Sequence, residues 1–137
     1  MTQKDFYDDI KSSLYMGEKA WRALNASIPG PEYIKAWYRA SRRDVDQKSG
    51  FREVNWFLTN QVLIRQEINP TEIFMISFQL NQLTQIERYF DVSSDEYPML
   101  RRTVLIFADG KTCDLSVPSR QSYGDVEGYF RLVSLLV

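Results

Sequence analysis

The densest hydrophobic patterning runs from Trp56 to Glu87, WFLTNQVLIRQEINPTEIFMISFQLNQLTQIE, where short apolar stretches alternate with polar positions between turn signals. The pattern predicts strands over about 52–58, 61–68 and 72–80, with Asn69-Pro70 turning the second into the third. Val62, Ile64 and Ile68 fall on one strand face, and Phe74, Ile76, Phe78 and Leu80 on another. Leu83 and Ile86 open a fourth strand three residues apart, a spacing that shares a face only through a bulge or corner.

Ahead of this meander, Phe6, Ile10, Leu14, Trp21 and Leu24 are spaced by four, four, seven and three, which predicts an amphipathic helix over 3–24. Thr2 and Asp5 match a capping box at its start, and Gly17 is a point where it can bend. Ser27 to Pro31 ends the helix as a stiff connector. Glu32 to Ser41 reads two ways: Tyr33, Ile34, Trp37 and Tyr38 fit a helix opened by Pro31, while the richness in Tyr, Ile and Trp fits a strand. Arg42 to Arg52 is polar, holds Gly50 and is expected to be an exposed loop. Val92 to Leu100 is expected to be a second loop.

The segment RRTVLIFADGKTCDLSVP predicts a hairpin around Asp109-Gly110. With a two-residue loop, Ile106 faces Cys113 and Val104 faces Leu115, so these four line the core and Leu105 and Phe107 turn outward. Ser122 to Val137 is expected to be a closing helix, capped by Ser122 with Asp125 in its first turn, its stripe formed by Val126, Tyr129, Phe130 and Val133.

These pieces, in this order, resemble bacterial pleckstrin-homology-like and GRAM-like domains. The resemblance rests on Trp56-Phe57-Leu58-Thr59-Asn60 through Ile64, Ile76 to Glu87 with its Leu83 and Ile86 corner, Phe107-Ala108-Asp109-Gly110-Lys111, and the amphipathic C-terminal helix. It covers about residues 31–137 and leaves the helix within 1–26 outside the family unit. It implies a mainly β, α+β fold: an antiparallel two-sheet sandwich or half-open barrel of about seven strands, with a C-terminal capping helix and an extra N-terminal helix. It also makes Glu32 to Ser41 the first strand.

Composition narrows the function. At 137 residues the chain is large enough for one domain that buries roughly two-thirds of its unfolded surface without disulfide or metal. Histidine is absent, which removes Ser-His and Cys-His nucleophile activation, histidine-ligated zinc and the usual general base. The single cysteine, Cys113, excludes an internal disulfide and is expected to be a buried small hydrophobe. Glycines occur singly, so there is no phosphate-cradling loop. Asp8-Asp9 and Asp95-Glu96 are carboxylate pairs without a predicted pocket. Neither a catalytic residue, a metal nor a cofactor is expected, and the chain reads as non-enzymatic.

The N-terminus has acidic residues where a secretory signal would be basic, and no apolar run approaches a membrane span, so a cytoplasmic protein is expected. Seventeen Lys and Arg against 18 Asp and Glu argue against a nucleic-acid partner. Arg39, Arg42, Arg43, Lys48 and Arg52 cluster around the 42–52 loop, where lipid-binding relatives hold headgroups, and guanidinium forks suit phosphate oxygens. Asp44, Asp46 and Glu53 sit among them, so the cluster reads either as a solvated loop or as an anion site on a peripheral membrane. Phe6, Ile10, Leu14, Trp21 and Leu24 on the helix, with Leu105 and Phe107 on the hairpin, form the expected interaction surface. These two apolar sets either cover each other, within or between chains, or the helix packs elsewhere, for example near Trp37. The function expected is protein contact or self-association, with anionic headgroup binding as the alternative.

Overall fold

Because apolar residues occupy both faces of the central strands, the meander needs cover on two sides, and it receives a second sheet on one and a helical hairpin on the other. The computed structural model describes residues 2–28, 33–45, 50–93, 98–118 and 126–136, with positions 43–45, 50 and 51 by backbone alone. Its elements are helices α1 (Gln3–Ser13) and α2 (Gly17–Ser27), then strands β1 (Ala36–Val45), β2 (Gly50–Leu58), β3 (Val62–Ile68) and β4 (Ile73–Gln79). A 3₁₀ turn at Leu80–Gln82 leads to β5 (Leu83–Asp91), β6 (Met99–Phe107), β7 (Thr112–Ser116) and helix α3 (Val126–Ser134). The strands form two antiparallel sheets, ordered β1-β2-β3-β4 and β5-β6-β7. The described residues are therefore mainly β, a two-sheet sandwich of seven strands with a C-terminal helix, as the sequence led one to expect.

Two cores follow from strand alternation. Between the sheets, Tyr38, Trp56, Leu58 and Leu63 meet Leu105, Phe107, Cys113 and Leu115, and α3 adds Tyr129, Leu132 and Val133. Tyr129 packs edge-on against Tyr38, with ring centroids 5.4 Å apart, and its hydroxyl lies 3.2 Å from Thr103 Oγ1. On the outer face of the four-stranded sheet, Phe57, Val62, Ile64 and Ile68 pack against Ile10, Leu14, Ala20 and Leu24. Each large aliphatic chain fully buried there contributes about 1.5–3 kcal/mol.

β1 shows why the helical pattern of Glu32 to Ser41 loses to a strand. Trp37 stacks on Phe57 under the helices, with ring centroids 5.7 Å apart, whereas its neighbour Tyr38 is buried between the sheets. Adjacent residues reach opposite faces only in extended backbone. The strand also runs further than expected. β1 ends at Val45 and β2 begins at Gly50, so the expected 42–52 loop shrinks to residues outside the described set, Lys48 among them.

The N-terminal segment is two helices, not one. Met16 adopts a left-handed conformation at φ 53°, and α2 starts at Gly17. A Cβ at Gly17 would collide with the Lys11 carbonyl, so the close return of the chain requires glycine here. The capping box is present: Thr2 Oγ1 accepts the Asp5 N–H at 3.1 Å and Asp5 Oδ2 accepts the Thr2 N–H at 3.3 Å. The bulge expected at the start of β5 is also present, between Leu83 and Gln85.

The β6–β7 hairpin has a different register from the one expected. Phe107 N–H donates to the Lys111 carbonyl at 3.0 Å and Gly110 N–H to the Phe107 carbonyl at 2.9 Å, enclosing three loop residues, with Gly110 at φ 87°. A three-residue loop ending in a left-handed glycine shifts the pairing by one residue relative to a two-residue turn. Leu105 therefore faces Cys113 and Thr103 faces Leu115. Because strand faces alternate, Leu105 and Phe107 turn inward and are buried, and Ile106 turns away. Cys113 is inward-facing as expected, though opposite a different partner. Ser122 and Asp125, the expected start of the last helix, lie outside the described residues.

Candidate functional site

Of the five basic candidates, the three with described side chains, Arg39, Arg42 and Arg52, do not gather at a solvent-facing loop. β1 carries a bulge where Ala40 and Ser41 together oppose Val54, and this extra residue restores Arg42 to the same face as Arg39. Both side chains turn toward Glu53 of β2, on the face covered by the helices. Arg39 Nε lies 3.1 Å and Arg42 Nε 2.5 Å from Glu53 Oε1, and the Glu53 side chain is 0% exposed. Glu53 Oε2 accepts the Tyr15 N–H at 3.0 Å and Asn55 Nδ2 at 2.9 Å. Asn55 also donates to Gln66 Oε1 at 3.2 Å, and Gln66 Nε2 donates to the Ala20 carbonyl at 3.1 Å.

The charge count explains why one carboxylate holds two guanidinium groups. Arg39 and Arg42 also both donate to the Ser13 carbonyl, Arg42 at 2.7 Å. Ser13 ends α1, where carbonyls lack helical partners and the helix dipole is negative. The second positive charge is thus met by a helix C-terminus. Arg39, Arg42, Glu53, Asn55 and Gln66 form a staple joining the α1–α2 corner to β1, β2 and β3. Sequence reading missed Glu53, Asn55 and Gln66. The available signal was the unbroken burial expected of FREVNWFL, in which polar Glu53 and Asn55 fall in phase with Phe57 and so need partners.

Arg52 lies on the opposite face. It holds Glu67 at 2.7 Å, and Arg65 holds the same carboxylate at 3.1 Å. Burial raises the Glu67 acid most, but hydrogen bonds from Arg52 and Arg65 outweigh it, and its pKa falls below the usual value. Beside them a cleft of about 290 Å³, lined by Ser41, Arg52, Trp56, Arg65 and Asp114 among others, opens between the sheets. Arg43 has a described backbone in β1 alone, and Lys48 lies outside the described residues. The three described members of the expected anion site are thus divided between two faces of the sheet, Arg39 and Arg42 in the staple and Arg52 opposite.

The expected interaction surface is mostly interior. Ile10, Leu14 and Leu24 are buried against the sheet, with Phe6 and Trp21 packed beside them, while Leu105 and Phe107 are buried between the sheets. The two sets do not cover each other. The helix stripe lies against the other sheet, with Trp37 among its neighbours, and the corrected register turns Leu105 and Phe107 inward and leaves Val104 and Ile106 on the other face of β6.

Exposed apolar side chains gather elsewhere. Tyr89, Phe90 and Val92 are 45%, 53% and 76% exposed at the far end of β5, and Met99 is exposed across the pair from Asp91. Around them Arg101 pairs with Asp91 at 2.8 Å. Arg102 pairs with Asp114 at 2.7 Å and stands 4.9 Å from the centre of the Tyr89 ring. The patch is apolar with locally balanced charge. Cys113 is buried, which pushes its thiol up to about 12. Among the described residues, no group of three or more His, Cys, Asp or Glu could hold a metal, and no helix is long and apolar enough to cross a membrane.

No family model and no curated protein matches the chain. Among solved structures, the chain is similar to the C-terminal domain of an unknown protein from Leishmania infantum, at 15% identity over 88% of this chain and 94% of that one, with a TM-score of 0.48. A likeness at that level carries no argument about function.

Proposed function

We propose that this chain is a non-enzymatic, pleckstrin-homology-like interaction module of the cytoplasm whose partner is a protein, the simplest partner being a second copy of itself. The division of seven strands into four and three, followed by a helix, supports the pleckstrin-homology-like reading. The absence of histidine and the burial of the one thiol support a non-enzymatic role.

One observation carries the contact: Tyr89, Phe90, Val92 and Met99 are all exposed at the far end of β5, an edge strand of its sheet, with Tyr89 and Phe90 on its two opposite faces. Aromatics, methionine and arginine are the residue types enriched at protein interfaces. β5 also contains neither proline nor lysine, the residues that commonly guard an edge against pairing. Antiparallel pairing of two β5 edges would satisfy free backbone groups and set these side chains beside their counterparts on each face. Hydrogen exchange compared at low and high protein concentration tests this. Protection that rises with concentration along 83–91 supports the contact, and concentration-independent exchange there opposes it.

The cleft favours a second reading. Arg52 and Arg65 at its wall share one carboxylate, Glu67, which leaves one positive charge in excess for an anionic headgroup, so weak binding to anionic vesicles would run through Arg52 and not through Arg42. Flotation with anionic vesicles at low salt tests it, with Arg52→Glu as the disabling variant.

A further inference from the structure

The four-stranded sheet ends at β4, and that edge is open. Leu80 N–H donates to the Gln61 carbonyl at 2.9 Å and Asn69 N–H to the Glu72 carbonyl at 3.0 Å, which fixes the phase of the ladder between β3 and β4. Even-numbered residues of β4 bond to β3, so the backbone N–H and C=O groups of Ile73, Met75 and Ser77 point away from the sheet. Among the described residues no strand pairs with them, because the chain turns at Leu80–Gln82 and β5 joins the other sheet.

The strand, IFMISFQ, holds no charge and no proline, the usual guards of an edge, and runs without a bulge against β3. Phe74 stands 47% exposed on it. Alongside, Ile76, Phe78, Gln82 and Phe107 line a hollow of about 120 Å³, which Asp109 and Lys111, 3.9 Å apart, complete.

Edge and hollow together specify a guest. Free backbone groups at every second residue match an extended backbone and not a compact ligand. In an added strand every second side chain falls on the face of Ile76 and Phe78, so the hollow receives one of them. Its volume is below the ~150 Å³ that accepts a benzene ring, which suits a valine, leucine or isoleucine side chain. The Asp109 and Lys111 charges cancel and β4 has none, so nothing at this edge selects a charged side chain. With β5 as the contact between copies, self-pairing at β4 as well would join chains without closure, which points to a different chain as the guest.

We propose that β4 accepts an extended, uncharged segment of another protein as an antiparallel fifth strand of its sheet, with one aliphatic side chain of that segment in the Ile76–Phe78–Phe107 hollow. This rests on the interaction-module reading, and the choice of another protein over a second copy rests on β5.

The test is an amide NMR titration of the full chain, and of Phe90→Asp, with synthetic heptapeptides in which threonine alternates with leucine or with lysine. The leucine peptide is expected to shift the amides of Ile73, Met75 and Ser77 and to slow their hydrogen exchange, and the lysine peptide is not. With leucines over the hollow, the threonine N–H groups face β4. Methylating the threonine amides is therefore expected to weaken binding at least about tenfold, and methylating the leucine amides far less. Ser77→Pro removes an outward N–H and spares the β3 ladder, so it is expected to weaken binding by a similar factor with the fold intact. No shift along 73–77 with the leucine peptide overturns the proposal. So do equal binding of the lysine peptide, and a loss from leucine methylation as large as that from threonine methylation. A Ser77→Pro chain that stays monomeric where the parent dimerises also overturns it, since β4 is then the contact between copies. Peptide shifts retained in Phe90→Asp show β4 acting independently of β5, so either contact can fail without the other.

Discussion

Arg42 Nε stands 2.5 Å from Glu53 Oε1, and Glu53 is fully buried beneath a helical hairpin that lies outside the β unit. Breaking such a pair leaves an uncompensated buried charge, which costs about 3–5 kcal/mol. Glu53→Ala is therefore expected to lower unfolding stability by that amount in urea titration, with α1 and α2 losing hydrogen-exchange protection first. Arg42→Glu is expected to destabilise the chain more severely, by placing a second carboxylate against Glu53. A Glu53→Ala cost under about 1 kcal/mol would mean that the staple is a surface ion pair in effect.

The hairpin register sets a sharper contrast between neighbours. Leu105 is buried between the sheets and Ile106 is not fully covered. Leu105→Ala is expected to cost about 2–5 kcal/mol, and Ile106→Ala clearly less. The two-residue turn would reverse that order, so the pair of melting curves decides between registers.

Cys113 supplies a test of burial with a defined sign. Its thiol is held at about 12, against an ordinary 9.0, chiefly by burial. The folded state therefore keeps a proton that the unfolded chain gives up. Stability from this group is full below about pH 9 and is lost as pH rises toward 12. Near pH 8, a thiol reagent is expected to react at the rate of opening and to go to completion at once in denaturant. Rapid reaction of the native protein would place the thiol at the surface.

Much of the architecture was legible because it depends on alternation. The existence and order of β2, β3 and β4, the shared face of Phe74, Ile76 and Phe78, on which Phe74 itself stays exposed, and the bulge after Leu83 all follow from period two and its interruption. The misread parts turn on single residues that periodicity does not register. One extra residue in the Asp109-Gly110 loop exchanged Leu105 for Ile106. One bulge at Ala40 and Ser41 brought Arg39 and Arg42 to a common carboxylate 11 or more positions away. The staple was illegible for a further reason: its partners include the Ser13 carbonyl and the Tyr15 N–H, and backbone groups leave no trace in composition.

Asp91 marks the border of the proposed contact surface. Its pKa is lowered to about 2, first by the backbone N–H and side chain of Ser93 and then by Arg101. Its contribution to order at this end of β5 is present above about pH 4 and is lost as pH falls through about 2. A carboxyl-carbon NMR titration is expected to give a midpoint near 2, and Arg101→Ala to raise it only partly, since Ser93 is the larger cause. A midpoint at the ordinary 3.8 would show that neither contact persists in solution.

Sedimentation velocity over a wide concentration range, on the full chain and on Phe90→Asp, tests the interaction reading most directly. Phe90 is 53% exposed, so the substitution leaves both cores intact while placing a charge in the apolar patch. The account predicts a reversible dimer that grows with concentration in the parent chain and a monomer throughout in the variant. A parent chain that stays monomeric at every concentration, or a variant that dimerises equally well, would contradict it.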